Sequence, residues 1–115
     1  MTDAEVFEAI EHGLAVLGPF LERLNDVFPA QWEALAVVRK TLPKFRRCVE
    51  NVRAEKSFRR FMRLRSELQQ AVYTAAKQSS QWAEEFRTPA REMFRAGAFL
   101  DDVERRAYDV YSCSR

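Results

Sequence analysis

Glycine is nearly missing from this chain: its 115 residues hold three, alongside four prolines, two cysteines and a single histidine. With so few turn-forming residues, a glycine-rich phosphate loop or a dinucleotide fingerprint has no material to form from. Cys48 and Cys113 stand far apart, one inside an apolar pattern and one in a polar tail, so no disulfide framework is implied. One histidine and two distant cysteines also fall short of the usual ligand set of a structural zinc site. No run approaches the roughly 18 consecutive apolar residues of a spanning helix, and the acidic start Thr2-Asp3-Ala4-Glu5 is unlike a signal peptide. The expectation is a soluble, intracellular chain without cofactor or metal.

What the chain does contain is core-forming material. Hydrophobic residues make up 47% and charged residues 31%, with nine Phe, three Tyr and two Trp. Each aromatic side chain can bury about 150–250 Å², so one domain over 1–115 can close a core without staples.

The apolar spacing is helical throughout. Phe7, Ile10, Leu14, Leu17, Leu21, Leu24 and Phe28 alternate three and four residues apart, which predicts a helical arm over about 3–28, capped by Asp3 and bent at Gly18-Pro19. Pro29 suits the first turn of a short second helix carrying Trp32, Leu35, Val38 and Leu42, with Pro43 as its end or a kink. Phe45, Cys48, Val49 and Val52 then lie on one helix face, and Phe58, Phe61, Leu64, Leu68 and Val72 on nearly the opposite one. This predicts a break near Glu55-Lys56-Ser57, with Ser57 as the new cap. From there the spacing persists through Val72, Ala75, Ser79, Trp82 and Phe86, predicting a second long arm over about 57–87, ~45 Å in length. Thr88-Pro89 supplies a further cap, Gly97 a stop, and Asp101 and Glu104 the spacing of a capping box, so two short helices and a tail complete the chain. The fold class is all-α: a small helical bundle with two long arms plus shorter helices.

Charge is sorted along the chain although the total is only +2. Residues 1–38 hold seven acids against Arg23, residues 39–65 hold eleven bases against Glu50 and Glu55, and the remainder is nearly balanced. Lys56, Arg59, Arg60 and Arg63 share one helix face, opposite Phe61 and Leu68, while Arg46, Arg53 and Arg60 recur every seven residues. Together with Arg39 these seven cations are the candidate binding residues. The plain alternative is a solvated face, or one neutralised inside the fold by the acidic first segment.

Catalytic chemistry has little to build on. His12 projects among Glu8 and Glu11 with no nucleophile nearby in sequence, and adjacent acids such as Glu84-Glu85 diverge by about 100° on a helix. Cys48 belongs to a core face, and Trp82 with Phe86 reads as a core pair. No catalytic, cofactor-binding or metal residue is assigned and no small-molecule substrate is expected. Two functions remain in competition: a non-enzymatic protein-interaction or regulatory protein, self-associating through leftover apolar surface on its long arms, or a nucleic-acid binder that meets duplex phosphates with residues 39–65. A membrane-surface role for Phe58 to Arg65 ranks below both, because its Phe residues are claimed by the core.

Overall fold

In the computed structural model, which describes residues 1–54, 56 and 58–113, five α-helices follow one another. They are α1 (Asp3–Arg23), α2 (Pro29–Glu50), α3 (Phe58–Ala76), α4 (Glu84–Ala98) and α5 (Leu100–Cys113). Short 3₁₀ turns at Val52–Ala54 and Ser79–Gln81 link α2 to α3 and α3 to α4, and no strand occurs among the described residues. The architecture is an all-α helical bundle measuring 48 × 23 × 17 Å. α2 packs along α3, α1 along α4, and α5 closes against α3 and the Val52–Ala54 turn.

The first arm is shorter than its stripe. Thr2, not Asp3, caps it: the Thr2 hydroxyl accepts from the Glu5 N–H at 3.2 Å while Glu5 Oε1 accepts from the Thr2 N–H at 3.0 Å. That N–H and the Thr2 hydroxyl hold the Glu5 carboxyl below the usual carboxylate range. Asp3 is thereby freed to pair with Arg106 of α5, whose Nε lies 3.0 Å from Asp3 Oδ1. The helix passes through Pro19 without a break and ends at Arg23, five residues before Phe28. Asn25 donates to the Glu22 carbonyl at 2.9 Å, and Pro29 forces Phe28 out of the helical region at φ −124° and ψ 61°.

Pro43 does not end the second helix. α2 runs for 22 residues from Pro29 at its first position, so the expected short helix and the Phe45–Val49 segment are one rod. Pro43 is exposed. The Arg39 carbonyl that its missing N–H would have bound can therefore be met by water on that side. The break expected near 55–57 is present, between Glu50 and Phe58, and the capping role assigned to Ser57 lies outside the described residues.

The second long arm is where periodicity misleads. α3 stops at Ala76, eleven residues before Arg87, and its 19 residues give about 28 Å instead of about 45 Å. Gln78 takes a left-handed conformation at φ 63°, and the buried Gln31 of α2 donates its amide to the Lys77 carbonyl at 3.0 Å. Trp82 and Phe86, which continue the three-four spacing, instead fold back onto α1. Phe86 stacks on Phe20 at 4.0 Å, and Trp82 meets Phe20 and Phe28 edge-on.

The next two boundaries shift as well. α4 begins at Glu84, ahead of the Thr88-Pro89 cap, with Glu84 and Glu85 placed favourably in its first turn. α4 continues one residue past Gly97 and α5 starts at Leu100, where Asp101 and Glu104 serve Arg65 and not a capping box.

Aromatic rings bind the layers together. Phe7 of α1 meets Phe45 of α2, Phe45 stacks on Phe61 of α3 at 5.0 Å, and Phe58 carries the series to Tyr108 and Tyr111 of α5. α3 and α4 approach closely at Gly97, where a Cβ would stand 2.8 Å from Val72 Cγ1 and 3.1 Å from Tyr73 Cε1. The Gly97 carbonyl there accepts from the buried Gln69 amide at 2.9 Å.

Phe45→Ala is expected to destabilise the fold by about 3–5 kcal/mol, because the ring is wholly buried between two others. Alanine at position 97 would gain about 1 kcal/mol in an open helix. Here the β-branched Val72 cannot yield, and overpacking of about 1–3 kcal/mol should win. Urea denaturation of both variants checks the magnitude of the first and the sign of the second.

Candidate nucleic-acid interface

α2 and α3 run antiparallel, joined by a short turn, and each turns one face into the core. On α2 that face is Leu35, Val38, Leu42, Phe45 and Cys48; on α3 it is Phe61, Leu64, Leu68, Ala71 and Ala75. Immediately to the solvent side of the α2 row lie Lys40, Lys44, Arg47 and Asn51, spaced i, i+4, i+7 and i+11. Beside the α3 row lie Lys56, Arg60, Arg63 and Glu67 in the same spacing. Because the helices are antiparallel, the two rows face each other across a groove.

The groove has two adjoining concavities. One, of about 530 Å³, is lined by Lys44, Arg47, Cys48, Asn51, Ala54, Lys56 and Arg60. The other, of about 520 Å³, is lined by Val37, Lys40, Thr41, Lys44, Arg60, Arg63, Leu64 and Glu67. They share Lys44 and Arg60, so they form one trough. Among the described residues its walls carry six cationic side chains and one carboxylate. Beyond Val37 the groove continues into a section of about 530 Å³ where Ala30, Ala34 and Ala71 lie beside Ser66, Gln70 and Thr74, flanked by Glu33 and Glu67.

The structure separates the seven candidate residues. Lys56, Arg60 and Arg63 line the trough, with Arg60 Nη1 3.8 Å from the buried Cys48 sulfur. Arg59 is exposed on α3 but lines neither concavity. Arg39 lies over the Trp32 ring, 5.8 Å from its centroid, and packs against Gly18 of α1. Arg46 is drawn the other way, to Glu11 of α1 at 2.6 Å and to Glu50 at 3.4 Å, above the Phe7 ring. Arg53 sits on the turn beside Asp109, Val110 and Cys113. The seven-residue recurrence of Arg46, Arg53 and Arg60 therefore marks no common surface.

Lys40, Lys44 and Arg47 were not among the candidates although they supply half of the trough's charge. Their spacing is as regular as that of the α3 row. Dividing the segment at Pro43 hid it, since Lys40 and Lys44 then belong to different helices.

The acidic first segment masks little of this surface. α1 packs chiefly against α4. Its Glu11 takes Arg46, while Glu8, Glu22 and Asp26 line neither concavity. Arg65, the remaining basic residue of the segment, is structural: its side chain is 20% exposed and reaches Gln69 at 2.8 Å, Glu104 at 3.1 Å and Asp101 at 3.3 Å.

Other chemistry is sparse among the described residues. No cluster of three His, Cys, Asp or Glu side chains is placed to hold a metal ion, and no helix is long and apolar enough to cross a membrane. His12 is exposed on α1, Cys113 is exposed, and Phe61, central to the segment with membrane-surface character, is wholly buried. No family model, curated protein or solved structure matches the chain, so its function is read from side-chain geometry.

Two kinds of arginine and lysine should respond differently to removal. Arg65→Ala leaves Gln69 and the 19%-exposed Glu104 without their partner and is expected to cost about 1–3 kcal/mol. Lys44→Ala and Arg63→Ala, on the open trough, should stay within about 0.5 kcal/mol of the parent. Thermal unfolding of the three variants at equal pH and salt makes the comparison.

Proposed function

We propose that this protein is a non-enzymatic binding protein whose α2–α3 trough grips the phosphate backbone of a nucleic-acid duplex. The observation that carries this reading is the convergence of Lys40, Lys44, Arg47, Lys56, Arg60 and Arg63 on one groove. From Lys40 to Arg47 the helix rises about 10 Å, so six cations from two rows give about one per 2 Å of trough, or about one per 3–4 Å along each row. Phosphates follow one another every ~3.4 Å of axis along a duplex strand. The spacing of cations along each row is comparable to that of the phosphates.

The trough offers little with which to read bases. No aromatic ring lines either concavity, which argues against the stacking used by single-strand binders. Recognition of this type positions phosphates and tolerates sequence. The trough also disfavours face-to-face self-association, since two copies would oppose six cations to six. The ~45 Å arm whose uncovered surface motivated a dimer is absent as well.

A protein partner is the second reading, favoured by the section lined by Ala30, Ala34, Val37 and Ala71 at the trough's far end. An acidic amphipathic helix would suit a groove that is basic along most of its length and apolar at one end.

Binding of a short duplex, followed by gel shift or fluorescence anisotropy against salt, distinguishes the two. Neutralising about four phosphates gives a slope of log K on log salt of about −3 to −4, or roughly a hundredfold loss between about 50 and 200 mM. The double reversal Lys44→Glu with Arg63→Glu should abolish the complex, whereas Arg46→Glu, on the far side of α2, should weaken it far less. Absence of any duplex complex at low salt, together with saturable binding of an acidic helical peptide, would replace this reading by the second.

A further inference from the structure

The groove between α2 and α3 changes character along its length. Past Lys40 and Arg63 the cations stop, and the next charged side chains are the carboxylates of Glu67 on α3 and Glu33 on α2. Among the described residues no lysine or arginine lines this section. On α3, Ser66, Gln70 and Thr74 follow one another at i, i+4 and i+8, two hydroxyls and an amide in one row. On α2, Ala30, Ala34 and Val37 offer short side chains without polar atoms, so the surface there is low and open. From Ala30 to Val37 the helix rises about 10 Å, as far as along the cationic section.

A strand of phosphates cannot follow the groove through two carboxylates, which repel it. What rests there must be neutral and able to donate hydrogen bonds. Beside a phosphate strand lie sugars and base edges, and the two kinds of duplex differ in what they present. The minor groove of B-form DNA is about 6 Å wide and about 7.5 Å deep, and its A·T pairs show acceptors alone. A low surface does not reach into such a slot, and carboxylates above it find few donors. An A-form RNA duplex has a wide, shallow minor groove that displays 2′-hydroxyls, each both donor and acceptor. Such hydroxyls can donate to Glu33 and Glu67 and exchange hydrogen bonds with Ser66, Gln70 and Thr74, while the alanines let the sugars come close. We infer that the duplex is RNA, with phosphates on the cationic section and 2′-hydroxyls on the neutral row and its two carboxylates. This assignment rests on the duplex-binding reading above and adds to it a choice of sugar.

Three duplexes of one sequence test it: RNA, DNA, and RNA carrying 2′-O-methyl groups throughout, which keeps the A-form and removes the donor. The expected result is about tenfold tighter binding of RNA than of DNA, with the methylated duplex falling to the DNA level. The double variant Glu67→Ala with Gln70→Ala should lose most of that preference, whereas Lys44→Gln, in the cationic section, should weaken all three duplexes and preserve the ratio. Glu67 and Gln70 are both exposed, so circular dichroism should find the double variant folded. Equal binding of RNA and DNA by the parent protein overturns the choice of RNA and leaves the duplex reading standing. A methylated duplex bound as tightly as RNA, or a preference untouched in the double variant, overturns the hydroxyl contacts. Failure to bind any of the three overturns both readings.

Discussion

Phe45 and Phe61 stack at 5.0 Å with no solvent exposure, and this contact fixes how α2 and α3 lie against each other. The other rings extend from it: Phe7 reaches Phe45 from α1, and Phe58 passes the contact from Phe61 to α5. With the two helices held antiparallel by their apolar rows, the residues one step around each helix must face each other across the seam. In this sequence those residues are Lys40, Lys44 and Arg47 on one side and Lys56, Arg60 and Arg63 on the other. The basic trough is thus a consequence of core packing, with charge placed on positions that the core leaves over. Like charges brought together in this way oppose folding, and burial of about 25 cal/mol per Å² in the aromatic series offsets the repulsion.

Basic residues divide by what they touch. Arg46 and Arg65 meet carboxylates, and Arg39 lies on Trp32. The α2 and α3 rows border a groove, where Arg60 Nη1 lies 3.8 Å from the Cys48 sulfur, and α1, the most acidic helix, has its packing face committed to α4. The segregation seen along the chain therefore survives as segregation in space.

The helical class and the break between oppositely facing stripes were legible because apolar spacing records which side of each helix is buried. Periodicity has no means of recording where a helix stops when the next one faces the same way. Ser79, Trp82 and Phe86 kept in step with α3, and only the capture of the Lys77 carbonyl by Gln31, across 46 residues of sequence, turns the chain aside. Thr2 and Asp3 are adjacent and both competent as caps, and the choice depended on Arg106, 103 residues away. The α3 half of the trough was readable from the shared face of Lys56, Arg60 and Arg63. The α2 half was not, because an internal proline reads as a helix end, whereas α2 runs on through Pro43.

The bond from Gln31 to Lys77 has a mechanical side. It fastens the start of α2 to the end of α3, while the Val52–Ala54 turn joins their other ends, so the pair is fastened at both extremities. A groove held in that way has essentially one width. Its backbone would be preorganised for the proposed phosphate ligand, and the ordering cost of that association would fall on the rotamers of long side chains, each with about 2 kcal/mol of rotamer entropy at stake. Differences in lifetime between complexes would then reflect how many of those lysines and arginines a ligand immobilises, and hardly at all how far the helices must move.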